Sequence, residues 1–373
     1  MANLGVKVDG LVLPNPFIIG SGPPGTNANV IAKAFDEGWG GVVAKTVCLD
    51  ASKIVNITPR YARMRASEHK EIIGWENIEL ISDRPLETWL DEFRELKRRY
   101  PDHVLIASVM EEYRRDAWVE IVERCAETGV NGFELNFSCP HGLPERRMGS
   151  AMGQDPAILE EVCGWVRGVT DKPVWAKLTP NIMHIEEPAR AALGGGATGI
   201  SAINTILSIM GVNLDTLRPE PTVAGYSTPG GYSGKAIRPI ALRMVMECAR
   251  LIRAEYPGRS LSGLGGVETG GDAAQFLLLG ANTVQVCTGV MIHGYSLIHR
   301  LRRELSAFMD THGFTSVDEF RGYSLKYLST HADLVDRQAA AKAQSRRDHG
   351  ILQDGHWIGD ELVTQSEKLV ANR

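Results

Sequence analysis

Eight short apolar runs, each followed by a polar or amphipathic stretch, set the tightest limit on what this 373-residue chain can fold into. The runs occupy residues 17–22, 42–46, 104–110, 132–136, 174–178, 199–204, 260–264 and 283–287. Apolar residues at helical spacing fill 85–99, 117–128, 157–169, 238–256 and 271–279 between them. Strands that are apolar on both faces and joined through helices belong in a parallel sheet, because parallel neighbours need a crossover connection that then covers the sheet. Eight such units in succession predict a closed (β/α)8 TIM barrel. An open doubly wound sheet is the alternative, and it would want a G-x-G-x-x-G turn after the first strand. Gly20-Ser21-Gly22-Pro23-Pro24-Gly25 has the glycines, but its two prolines remove amides that would face a pyrophosphate.

The barrel is expected over residues 1–325, with a hairpin at 3–16 plugging its bottom and loop insertions at 48–83 and 206–237. Residues 326–373 are polar and charged and read as a C-terminal extension, a helical arm or partly ordered tail. With 43% hydrophobic residues the chain can bury a large core, yet no apolar run reaches the length of a membrane span. A formal net charge of -5 without a basic block argues against nucleic acid and acidic membranes as partners. Met1-Ala2-Asn3-Leu4-Gly5 lacks a basic region leading into an apolar one, and the six cysteines form no C-x-x-C pair, so a soluble cytoplasmic protein with reduced thiols is expected.

Chemistry concentrates in Glu134-Leu135-Asn136-Phe137-Ser138-Cys139-Pro140-His141-Gly142, where a strand runs into a polar cluster that holds a thiol. Cys139 could be a buried structural cysteine, but the polar Asn136, Ser138 and His141 beside it are poor company for an apolar core. Lys45 and Lys177 lie in apolar strands, where each ammonium needs an anion. A reduced flavin supplies one, whereas a Schiff-base lysine would leave Cys139 without a role. Glycines in Ser262-Gly263-Leu264-Gly265-Gly266 and in Cys287-Thr288-Gly289 follow the seventh and eighth strands, the usual phosphate position of a barrel, although such turns also arise for steric reasons. Asn77, Asn136 and Asn204 could each cap a turn; together at strand ends they suit a planar heterocycle with alternating donors and acceptors.

Several motifs then converge: Ala44-Lys45-Thr46, Asn77-Ile78-Glu79-Leu80-Ile81-Ser82, Asn136-Phe137-Ser138-Cys139-Pro140, Ala176-Lys177-Leu178-Thr179-Pro180-Asn181, Asn204-Thr205 and Ser233-Gly234. Through them, residues 4–325 resemble the flavin-binding barrel of dihydropyrimidine dehydrogenases, within the dihydroorotate dehydrogenase group of FMN enzymes. The resemblance implies FMN as cofactor and uracil or thymine as substrate. It implies that Ser21, Lys45, Thr46, Asn77, Asn136, Lys177, Gly234, Gly265, Gly266 and Thr288 hold FMN, and that Asn77, Glu79, Asn136, Asn204 and Thr205 read the pyrimidine. Cys139 becomes the acid or base at pyrimidine C5 while FMN N5 exchanges hydride with C6, under a lid at 141–153.

The chain departs from this group in lacking a cysteine-rich iron–sulfur segment, so no cluster and no metal site are expected, and electrons would come from a reductase or other partner. A homo-oligomer, a dimer, is also expected. Dihydroorotate or another cyclic amide is the alternative substrate, and His141 after Ser138-Cys139-Pro140 argues against dihydroorotate because asparagine is usual there. A flavin-free lysine lyase and a non-catalytic scaffold are the readings from other classes.

Overall fold

In the computed structural model, which describes residues 2–66, 71–140 and 148–344, the eight expected strands close into one parallel barrel. They are β1 (Phe17–Ile19), β2 (Gly41–Val43), β3 (Val104–Val109), β4 (Gly132–Asn136), β5 (Val174–Lys177), β6 (Gly199–Ala202), β7 (Ser260–Leu264) and β8 (Thr283–Val286). β8 closes the ring on β1, with Val284 beside Phe17 and Val286 beside Ile19. Helices Leu86–Arg99, Arg115–Ala126, Pro156–Arg167, Arg238–Glu255 and Gly270–Leu278 fall within two residues of the expected spans. Their ends are set locally. Asp155 accepts from the amides of Ala157 and Ile158, with Pro156 opening the helix, and Thr269 and Asp272 form a reciprocal capping box. Trp89, Trp118, Phe133 and Phe276 are fully buried in the core.

The N-terminal hairpin, Val6–Val8 against Leu11–Leu13, turns through Asp9 and Gly10, both at positive φ. Asp9 Oδ2 accepts from Trp175 Nε1 at 2.6 Å, Ser260 Oγ at 2.6 Å and Thr198 Oγ1 at 3.4 Å, all at the N-terminal ends of barrel strands. The turn therefore seats on the barrel's bottom, as a plug should. Asp9→Ala is expected to strand these donors and lower stability by about 3 kcal/mol in denaturant melts. Burial is the larger influence on this carboxyl and raises its pKa above the ordinary 3.8, despite the hydrogen bonds. The native chain then holds this proton to higher pH than the unfolded one. Its contribution is full below the ordinary value and is lost as pH rises through the raised one, so Asp9→Asn should flatten that part of the stability–pH curve.

The two insertions are not loops. Strands Tyr61–Arg65 and Ile72–Asn77 from the first pair with Gly230–Ser233 and Ile206–Ser208 from the second in one four-stranded antiparallel sheet, while Gly211–Asn213 and Arg218–Glu220 make a separate hairpin. Glu76, fully buried, fastens the two insertions by accepting from Ser208 Oγ at 3.0 Å and the Met210 amide at 3.1 Å. Partners this far apart leave no local periodic signal.

Contacts divide the chain into Met1–Leu325 and Lys326–Arg373. Within the second unit, His331–Gln344 is helical. His141, and with it most of the expected lid, lies outside the described residues; Gly149 and the short helix Ser150–Gly153 lie within them.

Candidate active site

Every side chain and glycine expected to act lies on one cleft at the C-terminal ends of the barrel strands, with a volume of about 1040 Å³ including its open mouth. Ser21, Lys45, Thr46, Asn77, Glu79, Asn136, Cys139, Lys177, Asn204, Thr205, Gly234, Gly265, Gly266 and Thr288 all line it. A barrel brings such distant positions together because each strand delivers its last residue to the same face.

The thiol is positioned by an asparagine. Asn136, the last residue of β4, accepts on Oδ1 from the amide of Ser138, the hydroxyl of Ser138 and the amide of Cys139, each at 3.0 Å. Its Nδ2 donates to Thr46 Oγ1 at 3.0 Å, and Thr46 in turn contacts Ser108 Oγ at 2.8 Å and Ser21 Oγ at 3.2 Å. The carboxamide is thus a brace that folds the chain after β4 back on itself, with one N–H left to offer a ligand. Asn204 Nδ2 donates to the Ser138 carbonyl at 2.9 Å and holds the same loop from β6. The Ser150 amide donates to the Cys139 carbonyl at 3.0 Å, so the short helix at the end of the expected lid also fixes the thiol-bearing residue. Cys139 is buried yet faces the cleft.

The two lysines sit in different electrostatic settings. Lys45 Nζ is 2.6 Å from Glu79 Oε2, which also accepts from Tyr61 at 2.9 Å, while Arg60 donates to Glu79 Oε1 at 2.9 Å. Burial, followed by the Glu79 charge, pushes the Tyr61 hydroxyl well above its usual range and keeps it a donor. Three of the roughly four acceptor positions of Glu79 are therefore engaged within the protein. Lys177, 3% exposed, lies 3.2 Å from Glu134 Oε1 in the barrel interior.

Also lining the cleft, Gly265, Gly266 and Gly234 have φ of 140°, 72° and 94°. A Cβ on Gly266 would stand 2.6 Å from the Gly234 carbonyl oxygen, so these two backbones touch and form a bare cradle. Ser233 Oγ and Thr288 Oγ1, 2.8 Å apart, add hydroxyls beside it, and the helix Thr288–His293 starts there. Burial pushes the Cys287 thiol up to about 11 although Lys177 and Lys45 pull the other way, so this neighbour stays neutral. The bare cradle and two buried ammonium groups fit a cofactor with a terminal phosphate and an electron-accepting ring.

Sequence reasoning gave no role to Arg60, Tyr61, Trp75, Ser233 or Gln285, although Ser233 stood beside Gly234 in one of the motifs. Of these, Tyr61, Trp75, Ser233 and Gln285 line the cleft, and Arg60 holds Glu79. Four lie in the insertions, whose pairing carries no local signature; Gln285, a polar residue within an apolar run, was the readable one.

A family model described as dihydroorotate dehydrogenase matches residues 3–309. The chain is 60% identical to the chloroplastic dihydropyrimidine dehydrogenase (NADP(+)) of Arabidopsis thaliana, over 99% of this chain and 88% of that one. It is 41% identical to the NAD-dependent dihydropyrimidine dehydrogenase subunit PreA of Escherichia coli K12, over 89% of this chain and 79% of that one. Among solved structures, the DHODH of Eimeria tenella in complex with ferulenol superposes with a TM-score of 0.72 at 20% identity, covering 86% of this chain and 88% of that one, a likeness of fold. The Arabidopsis relative's chloroplast location overturns the expectation of a cytoplasmic protein. Reduced thiols are compatible with more than one compartment, so the cysteines never distinguished the two.

Proposed function

The chain belongs to the dihydroorotate dehydrogenase family and is an FMN-dependent oxidoreductase, and we propose that it acts on the C5–C6 bond of uracil or thymine. The observation that carries this reading is that the Cys139 loop, braced by Asn136 and Asn204, opens on the same cleft as Lys45 and Lys177. FMN supplies hydride exchange at its N5 when bound. Gly234, Gly265, Gly266, Ser21 and Thr288 take its phosphate and ribityl chain, and Lys45, Thr46, Asn77, Asn136 and Lys177 its ring. Asn77, Glu79, Asn136, Asn204 and Thr205 orient the pyrimidine; Asn204 Oδ1, without a partner among the described residues, accepts a ring N–H. Cys139 Sγ gives a proton to C5 in reduction and takes it back in oxidation.

Greater identity to the dihydropyrimidine dehydrogenases than to the dihydroorotate enzyme of Pyrococcus abyssi, 60% and 41% against 35%, supports a pyrimidine without the carboxylate. Lysine lyase chemistry is not favoured, because it would leave Cys139 without a role although its braced loop opens on the same cleft. Purified protein should be yellow and release FMN on denaturation. Anaerobic uracil or thymine should reoxidise the reduced flavin, and dihydroorotate should leave the oxidised flavin unchanged. A colourless protein that FMN cannot reconstitute would refute the flavin reading.

Reducing equivalents reach the site through a partner protein, or through a small donor that uses the substrate pocket in turn. The E. coli relative is named a subunit, which supports a partner. We expect no iron–sulfur cluster in the chain, and the burial of Cys125, Cys163 and Cys248 in helices supports that expectation. Iron and acid-labile sulfide assays should therefore read zero, and NADH or NADPH alone should not reduce the flavin rapidly in stopped flow. Exposed Leu207, Ile209, Val212, Leu214 and Leu217 of the second insertion support a homo-oligomer, which light scattering tests. Among the described residues, no helix is long and apolar enough to cross a membrane.

A further inference from the structure

We propose that Glu134 is a positioning residue that sets the charge the cofactor meets at Lys177. Glu134 is 0% exposed on β4, a carboxylate in the barrel interior, where an uncompensated charge is costly. Lys177 Nζ lies 3.2 Å from its Oε1, an ionic contact, since that oxygen has no hydrogen-bond partner. Gln285 Nε2 donates to Oε2 at 2.8 Å and to Ser201 Oγ at 3.1 Å, which pins the carboxylate from β8 and β6. Lys177 and Gln285 line the cleft and Glu134 does not. The ammonium is thus set between a fixed carboxylate beneath and the ligand space above. The carboxylate attracts the ammonium and fixes its position, and it leaves N–H donors to turn toward the ligand space. A negative charge about 3 Å behind it also cancels part of the field it projects into the cleft. Glu134 therefore aims Lys177 and moderates its pull on electrons in the bound ring.

This inference rests on FMN binding with its ring over Lys177. Sulfite is the probe: its sulfur electron pair forms a bond to oxidised flavin N5, and the displaced pair leaves negative charge at N1 and C2, with no other reactant needed. Glu134→Gln keeps the shape and removes the opposing charge. The variant should bind FMN with a Kd within about threefold of the parent and bind sulfite at least about tenfold more tightly, about 1.4 kcal/mol. Sulfite affinity that is unchanged or weaker overturns the proposal, and so does an altered FMN Kd without a sulfite change, the mark of a merely structural role. If Glu134→Gln does not fold, Glu134→Asp, which draws the carboxylate back by one methylene, is expected to tighten sulfite about threefold, and no tightening there overturns the proposal equally. Failure of the parent protein to bind FMN would instead refute the flavin reading, so the two failures are distinguishable.

Discussion

Cys139→Ala is expected to keep FMN and to bind uracil or thymine, yet to turn over roughly two to four orders of magnitude more slowly, the range for a positioned proton donor. The separation of binding from turnover follows from the geometry. Asn136 holds position 139 through its backbone amide, and Ser150 through its carbonyl, so removing the thiol leaves these two backbone hydrogen bonds in place. FMN should stay bound because Lys45, Lys177 and the glycine cradle are untouched. Cys139→Ser should retain more activity than alanine, as a hydroxyl can still donate. Single-turnover oxidation of reduced FMN by uracil or thymine measures the step directly. A near-parental rate in the alanine variant would place the proton elsewhere, with Ser138 or His141 the next candidates. Asn136→Ala is a useful contrast, because it releases three contacts to Ser138 and Cys139 and should harm pyrimidine binding along with turnover.

Gly266→Val should produce a largely colourless protein. Position 266 has φ of 72°, which costs a β-branched residue roughly 1–3 kcal/mol. Its Cβ would also stand 2.6 Å from the Gly234 carbonyl oxygen and 2.8 Å from Lys235 Cα, backbone atoms that cannot rotate away. The loop carrying Gly234 must move, and it forms the other wall of the phosphate cradle. Loss of about 2 kcal/mol of binding raises the FMN Kd about thirtyfold. Equilibrium dialysis against free FMN tests this, with circular dichroism to confirm that the barrel persists. Undiminished affinity would mean that the phosphate lies elsewhere in the cleft. The obstruction falls on a neighbouring backbone first and on the ligand through it.

The barrel was legible because its signals are local. Each strand is a short apolar run on both faces, each helix repeats its apolar residues at helical spacing, and Asp155-Pro156 or Thr269 with Asp272 mark helix starts in the chain itself. Lys45, Asn136, Cys139 and Lys177 were legible for a related reason, since polar groups in or just after apolar runs are costly unless used. The Asp9-Gly10 turn could be read as a hairpin, but its seat on Trp175, Thr198 and Ser260 could not.

Sequence alone thus determined the fold class, the order of strands and most of the groups that line the cleft, because periodicity and the cost of burying polar atoms act over a few residues. Tertiary structure alone decided how those groups share their hydrogen bonds. It made Asn136 a brace, gave Glu79 to Lys45, Arg60 and Tyr61, set Glu134 beneath Lys177, and joined two insertions more than a hundred residues apart into one sheet. Those pairings depend on distances across the barrel, and chain spacing carries no measure of such distances until the ring has closed.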